Sequence, residues 1–247
     1  MNIPKRFNLS SAFLHIFAMA VMLLDHTYAI GLANAHWMTC VGRLAFPIFS
    51  FMLVEGYFHT RSLRRYAKRL LIAAVASEIP FNLVAGGSWL YPFHQNVMWT
   101  LLMSLGAIHL NELVRRQGNI ILQILTAALT VVVSFFVGTI LMVDYFGVGI
   151  LMVLLFYFLR GDGWLRRLGQ LAGMYYLNCV MLGGYVMQFT LLGASVSFPR
   201  QGLAMLALIP IWLYRGRQGY RAKWLQRLYY AFYPLHLAAL ALIAIVF

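Results

Sequence analysis

One stretch is apolar enough to cross a bilayer yet carries charges that a bilayer penalises, and it constrains this chain most. Residues 42–69 read GRLAFPIFSFMLVEGYFHTRSLRRYAKR. Arg43 stands at one end of the apolar run, with Glu55 and His59 near the other. The run then passes into Arg61, Arg64, Arg65, Lys68 and Arg69. A charged side chain at the centre of a membrane helix costs about 2.5–3.5 kcal/mol even on insertion scales. Such groups therefore face a bundle interior or a polar cavity and mark a functional site. The basic run also orients the helix, because cytoplasmic loops collect Lys and Arg.

The rest of the chain repeats the pattern. Hydrophobic residues make up 62% of the sequence and charged residues 10%, against about 25% charged in a soluble domain. A spanning helix needs about 20 mostly apolar residues. The spacing predicts nine: 10–31, 40–58, 67–86, 95–113, 119–138, 141–159, 168–187, 199–214 and 227–246. The eighth is short and holds Pro210, so the seventh and eighth can also be read as a re-entrant pair. If the nine alternate, every basic residue of the 19 except Arg43 and Arg200 falls on one side. The expected fold is an all-α polytopic transmembrane helix bundle, one domain over 1–247, with the N-terminus cytoplasmic and the C-terminus outside. The net charge of +13 is then loop charge, and no nucleic acid is expected as a partner; membrane lipids are. Lys5 and Arg6 before an apolar stretch, with Ala33-Asn34-Ala35 after it, resemble a signal peptide. The length of the stretch favours a retained first helix. Cys40 and Cys179 suggest neither a disulfide framework nor a metal site.

Four of the six acids lie within or at the ends of apolar segments: Asp25, Glu55, Glu78 and Asp144. Glu112 and Asp162 sit among basic loop residues and read as solvated loop charges. Asp25 and His26 are neighbours on one helix and point about 100° apart, so each is expected to meet a group on another helix. His15 shares the face of His26 and reads as an interior hydrogen-bonded histidine. Glu78 and Asn82 share a face, with Pro80 between them to bend the helix. Asn96, Thr100 and Ser104 form a polar stripe, and Tyr229, Tyr233 and His236 another. The polar groups fall into layers: Asp25, His26, Arg43, Asn96 and Asp144 outermost, Glu78 and His236 in the middle, Glu55, His59, Arg61 and Arg64 innermost. The expectation is one shared polar chamber with a basic floor.

Several of these stretches resemble the TraX family of integral membrane proteins, named for the conjugation protein that N-acetylates F-type pilin. The matching residues include Asp25-His26, then Gly42 through Phe49, Val54 through Arg61, and Tyr66 through Leu70. Ser77-Glu78-Ile79-Pro80-Phe81, Gln95-Asn96-Val97, Thr100-Leu101 and Asp144-Tyr145 with Gly147 follow. Tyr229-Tyr230 and Phe232 through His236 complete the set. The family is in turn similar to the wider group of membrane acyltransferases that use acetyl-CoA. That group has a catalytic first-helix histidine and an Arg-x-x-Arg near the cytoplasmic face, and here His26 and Arg61 to Arg64 occupy comparable places.

The resemblance implies transfer of acetyl from acetyl-CoA to an amine or hydroxyl of an envelope, pilin or small-molecule acceptor, in the bacterial cytoplasmic membrane. Arg61, Arg64 and Arg65 would hold the CoA phosphates, with Glu55, His59 and Arg69 around them. His26 would take the acceptor's proton, with His236 as a second candidate base. Asp25, or an acid from another helix, would orient an imidazole, Arg43 or Asn96 would stabilise the oxyanion, and Glu78 would carry protons in the middle layer. No metal is implied. Two other classes fit the same buried acids and histidines: a proton-coupled transporter, and a non-catalytic partner of a pilus or envelope assembly machine.

Overall fold

Short polar residues start most of the long helices, each accepting a backbone N–H that a helix start leaves unpaired. The computed structural model describes residues 8–191, 194–220 and 222–246. Lys5, Arg6 and Arg221, used to orient the first and last segments, lie outside them. Ser10 accepts from Phe13 N at the start of α1 (Ser11–Ala29). After α2 (His36–Gly42) and α3 (Ala45–His59), Ser62 caps α4 (Leu63–Gly86), accepting from Arg65 N. Asn96 caps α5 (Val97–Arg115) through Met98 N, and Asn119 caps α6 (Ile120–Ile140) through Leu122 N. Gly87 closes α4 at a φ of 63°, the left-handed position that suits glycine. Next come α7 (Phe146–Phe158) and α8 (Trp164–Tyr175).

The chain is the all-α polytopic bundle expected. Among the described residues six helices are long and apolar enough to cross a membrane, with His36–His59 taken as one. That one is broken at Arg43–Leu44. Pro47 lies four residues after Arg43 and has no N–H to offer its carbonyl, so α2 cannot run unbroken into α3.

The seventh and eighth segments differ from expectation. The helix expected over 168–187 is α8 followed by a π-helical turn over Tyr176–Leu182. Gly183 and Gly184, both at positive φ, end it. A hairpin follows in which β1 (Val186–Leu191) pairs antiparallel with β2 (Ala194–Pro199), Val186 opposite Pro199 and Leu191 opposite Ala194. The β-branched and aromatic residues of VMQFTL and ASVSFP favour extended backbone. A 3-10 helix (Arg200–Ala207) and α9 (Leu208–Leu213) follow, with Pro210 tolerated in the first turn of α9. The last helix is α10 (Lys223–Val246).

The chain falls into two compact units. The first comprises Met1–Met52 and Gly161–Tyr229, the second Leu53–Arg160 and Tyr230–Phe247. In the second unit α5 packs against α4, α6 and α7, and α6 against α7. In the first unit α1 packs on α2, and α8 on the π turn and the 3-10 helix. Helix α8 turns Trp164, Leu165 and Leu168 outward and buries Gln170 and Met174. Gln170 Oε1 accepts from Trp212 Nε1 at 2.7 Å.

Candidate functional site

In the second unit, consecutive helices joined by short turns bring the ends of α3, α5 and α7 together with the starts of α4 and α6. At this end Arg61, Arg64 and Arg65 stand exposed around the first turn of α4. Glu55 turns inward instead and accepts from Arg160 Nε at 2.7 Å, and that guanidinium lies 4.2 Å from the centre of the Phe58 ring. His59 Nδ1 donates to the Glu55 carbonyl at 2.8 Å. Arg69 lies over the Tyr230 ring at 5.1 Å. His59 and Arg69 are exposed too, so of the six residues the sequence suggested for this end only Glu55 is turned away, held by Arg160 from the loop after α7.

Glu112 corrects a second expectation. It is 4% exposed and takes hydrogen bonds from Arg115 Nε, Arg115 Nη2 and the Tyr157 hydroxyl, at 2.7–2.9 Å. Helix α5 continues to Arg115, and Leu101, Leu105, Ile108 and Glu112 share its buried face. The i, i+4 spacing from Ile108 was the available signal. Asp162 is solvated as expected, with looser contacts at 3.4 Å to Arg167 and Arg215 in the first unit.

The opposite end of the second unit gathers Glu78, Asn96 and Asp144. Asn96 is fully buried. Its Nδ2 donates to the Ala74 carbonyl and to Glu78 Oε2. Trp99 Nε1 donates to the same carboxylate oxygen at 3.0 Å. Thr100 and Ser104 continue the predicted stripe between the helices, Thr100 Oγ1 donating to the Asp144 carbonyl at 2.8 Å. A backbone bridge between Gln95 and Val143, with Gln95 N donating to the Met142 carbonyl at 2.8 Å, zips the two loops together. It sets His94 beside Asp144, Nε2 to Oδ1 at 3.2 Å. Tyr145 and Phe146 follow at φ of 60° and 51°, a left-handed backbone that costs side-chain-bearing residues about 1–3 kcal/mol each and clusters at functional sites. From α10, Tyr233 is buried and interacts electrostatically with Asp144 and Glu78. His236 meets the Tyr233 ring and donates from Nδ1 to the Phe232 carbonyl at 2.8 Å. In its neutral form its basic nitrogen is therefore Nε2.

His94 was not singled out from the sequence, because its acid lies 50 residues away and only the Gln95–Val143 bridge joins them. The hydrogen bond to Asp144 holds its imidazole above the ordinary 6.5, with burial opposing. Its sign follows from linkage. The pair's stabilisation is complete below pH 6.5 and is lost as pH rises through the raised native value. Thermal unfolding of the wild type and His94→Gln across that window should show the wild-type advantage shrinking with increasing pH.

The first unit holds Asp25, His26 and Arg43. Asp25 pairs with Arg43 Nη2. Arg43 also donates from Nε to the Thr39 carbonyl at 3.2 Å and from Nη1 to Gln201 Oε1 at 3.3 Å. Gln201 Nε2 donates to Asn178 Oδ1 at 3.1 Å. Asp25 thus orients a guanidinium, whereas the sequence pointed to an imidazole. A Cβ at Gly42 would fall on the Asp25 side chain, so glycine there is what admits the carboxylate. His26 follows in the last turn of α1, half-buried. His15 stacks on Tyr229 with ring centres 4.4 Å apart, the interior role expected of it. Asp25, His26 and Arg43 thus belong to the first unit, and Glu78, Asn96, Asp144 and His236 to the second.

The family described as TraX protein matches residues 10–244. The probable fimbrial assembly protein FimC of Dichelobacter nodosus is 35% identical over 116 residues, covering 40% of this chain and 45% of that protein. The match therefore spans less than half the length of that relative. No solved structure matches the chain.

Proposed function

Because the chain belongs to the TraX family, we propose that it is an integral membrane acyltransferase moving acetyl from acetyl-CoA to an amine or hydroxyl of an acceptor. The observation that carries this reading is the polarity of the second unit. Exposed Arg61, Arg64 and Arg65 stand at the start of α4, while Glu78 lies towards its far end. Arg64 and Glu78 are 14 residues apart, about 21 Å along the axis at ~1.5 Å per residue. A donor with phosphates at one end and a thioester on a long flexible arm suits that separation. The arginine forks match phosphate oxygens in charge and geometry. In this reading the arginine end faces the cytoplasm of a bacterial cell.

Attack of the acceptor on the thioester forms the new C–N or C–O bond and breaks the C–S bond. The acceptor's proton passes through an imidazole to the departing sulfur. His26 and His236 are the imidazoles named by resemblance and spacing. Both amide hydrogens of Asn96 are already donated, one of them to Glu78, so Asn96 holds that carboxylate in place rather than meeting an oxyanion.

Purified protein given acetyl-CoA labelled in the acetyl group should fix label in co-purified membrane material, and CoA should raise its unfolding temperature with concentration. Replacing Arg61, Arg64 and Arg65 together by Gln should raise KM for acetyl-CoA about tenfold or more, since a hydrogen bond to a charged group is worth about 1.5–3 kcal/mol. No thermal response to CoA together with no fixed label would overturn the proposal. The fimbrial relative favours a second reading, a non-catalytic partner in pilus assembly. That reading gains if cells carrying His26→Ala and His236→Ala keep normal pili.

A further inference from the structure

We propose that His94 and Asp144 form an acid–base pair of the transfer reaction, His94 receiving the acceptor's proton and Asp144 holding the ring. The inference rests on the acyl-transfer reading above, and it assigns the step to His94, which neither spacing nor resemblance singled out, with Asp144 as its partner.

Three observations carry it. The ring is held in one orientation: Nε2 faces Asp144 Oδ1 at 3.2 Å, Phe146 stacks on it at 6.2 Å between centres, and Phe81 meets it edge-on at 5.3 Å. The acid is itself held, its Oδ1 taking Tyr145 N at 3.1 Å and its carbonyl taking Thr100 Oγ1. The ring nevertheless keeps 36% of its side-chain surface open, unlike the buried His236. The carboxylate steadies the fold, but packing alone does not call for a ring that is held by an acid and also keeps open surface. A proton acceptor needs both, because the carboxylate stabilises the imidazolium and the open edge admits the nucleophile.

The surroundings suit the role. Two residues further along the same loop, Asn96 fixes Glu78 from α4, and Tyr233 from α10 interacts with both acids. Among the described residues, the ionisable groups around the pair are Tyr145 ahead of α7, Glu78 on α4 and Tyr233 on α10. The backbone beneath Asp144 is the left-handed Tyr145-Phe146 turn, whose cost is offset by holding the acid in place.

With Nε2 on Asp144, Nδ1 is the nitrogen for the substrate. The acceptor X–H attacks the thioester carbon, the X–C bond forms and the C–S bond breaks. The proton moves from X to Nδ1 and on to the CoA sulfur, returning His94 to neutral.

The test uses detergent-permeabilised membranes carrying the full chain, with acetyl-labelled acetyl-CoA as probe. Label fixed in the membrane fraction and released CoA thiol are both measured. His94→Gln should lower kcat about 100-fold or more, with KM for acetyl-CoA within twofold of wild type. The wild-type rate should rise with pH along a limb set by an imidazole. That limb should vanish in His94→Gln and move to lower pH in Asp144→Asn, and added imidazole should restore part of the lost rate. If His94→Gln fails to fold, the limb shift in Asp144→Asn decides alone. An active wild type with an unchanged limb in Asp144→Asn, or with His94→Gln within threefold of its rate, overturns this assignment and leaves the acyl-transfer reading standing. A wild type that fixes no label and releases no thiol overturns that reading and this one with it.

Discussion

Arg43→Leu is expected to destabilise the protein by about 3–5 kcal/mol, while Asp25→Leu combined with Arg43→Leu costs far less. The two side chains are 14% and 20% exposed, so each is largely removed from water. Removing one partner of a buried ion pair leaves the other charge uncompensated, which is where a cost of that size arises. Replacing both by apolar groups of similar volume removes the attraction and the desolvation penalty together. Arg43→Lys should recover only part of the loss. Three of the guanidinium nitrogens are used, towards Thr39, Gln201 and Asp25, and one ammonium cannot reach all three. Gly42→Ala should resemble Arg43→Leu, because its Cβ would occupy the space of the Asp25 side chain. Unfolding of the detergent-purified variants by heat or denaturant reads each cost. A loss below about 1 kcal/mol for Arg43→Leu would mean that the pair behaves as a solvated one, despite its burial.

That pair was half legible in the sequence. A charge inside an apolar run must be compensated, so Asp25 and Arg43 could be singled out, but spacing alone gave each only an unspecified partner. Glu78 and Asn96 were visible for the same reason, and the Asn96, Thr100 and Ser104 stripe was readable because helical period alone sets it. Glu112 was misjudged because one or two residues of helix boundary decide whether a charge sits in a loop or turns in between helices, whereas Arg160 lies in the loop after α7, as expected, and reaches Glu55 from there. The β1–β2 hairpin was hidden because its apolar residues raise the average as a spanning helix does. Only Gly183-Gly184 and the β-branched alternation argued otherwise. His94 was beyond reach by local pattern, since a loop-to-loop bridge across 50 residues creates its setting.

Gly147→Ala is the second large effect expected, about 3 kcal/mol of lost stability, at the upper end of what overpacking usually costs. A Cβ at Gly147 would coincide with the backbone of Phe135, including its carbonyl oxygen. Backbone cannot rotate aside as a flexible side chain can, so α6 and α7 must separate. Across the same contact a Cβ at Gly138 would approach Gly147 Cα to 2.8 Å, so small residues on both helices set the spacing. Separation would also break the hydrogen bond from Gly147 N to Thr139 Oγ1. Just ahead of Gly147 lies the left-handed turn that presents Asp144, so under the proposed function loss of acyl transfer should accompany loss of stability. Gly106→Ala is the control. Nothing lies within 4 Å of its added Cβ, and in mid-helix alanine should be neutral or better by about 0.5–1 kcal/mol. Equal unfolding midpoints for the two variants would show that α6 and α7 yield at this contact, and that glycine there does not set their distance.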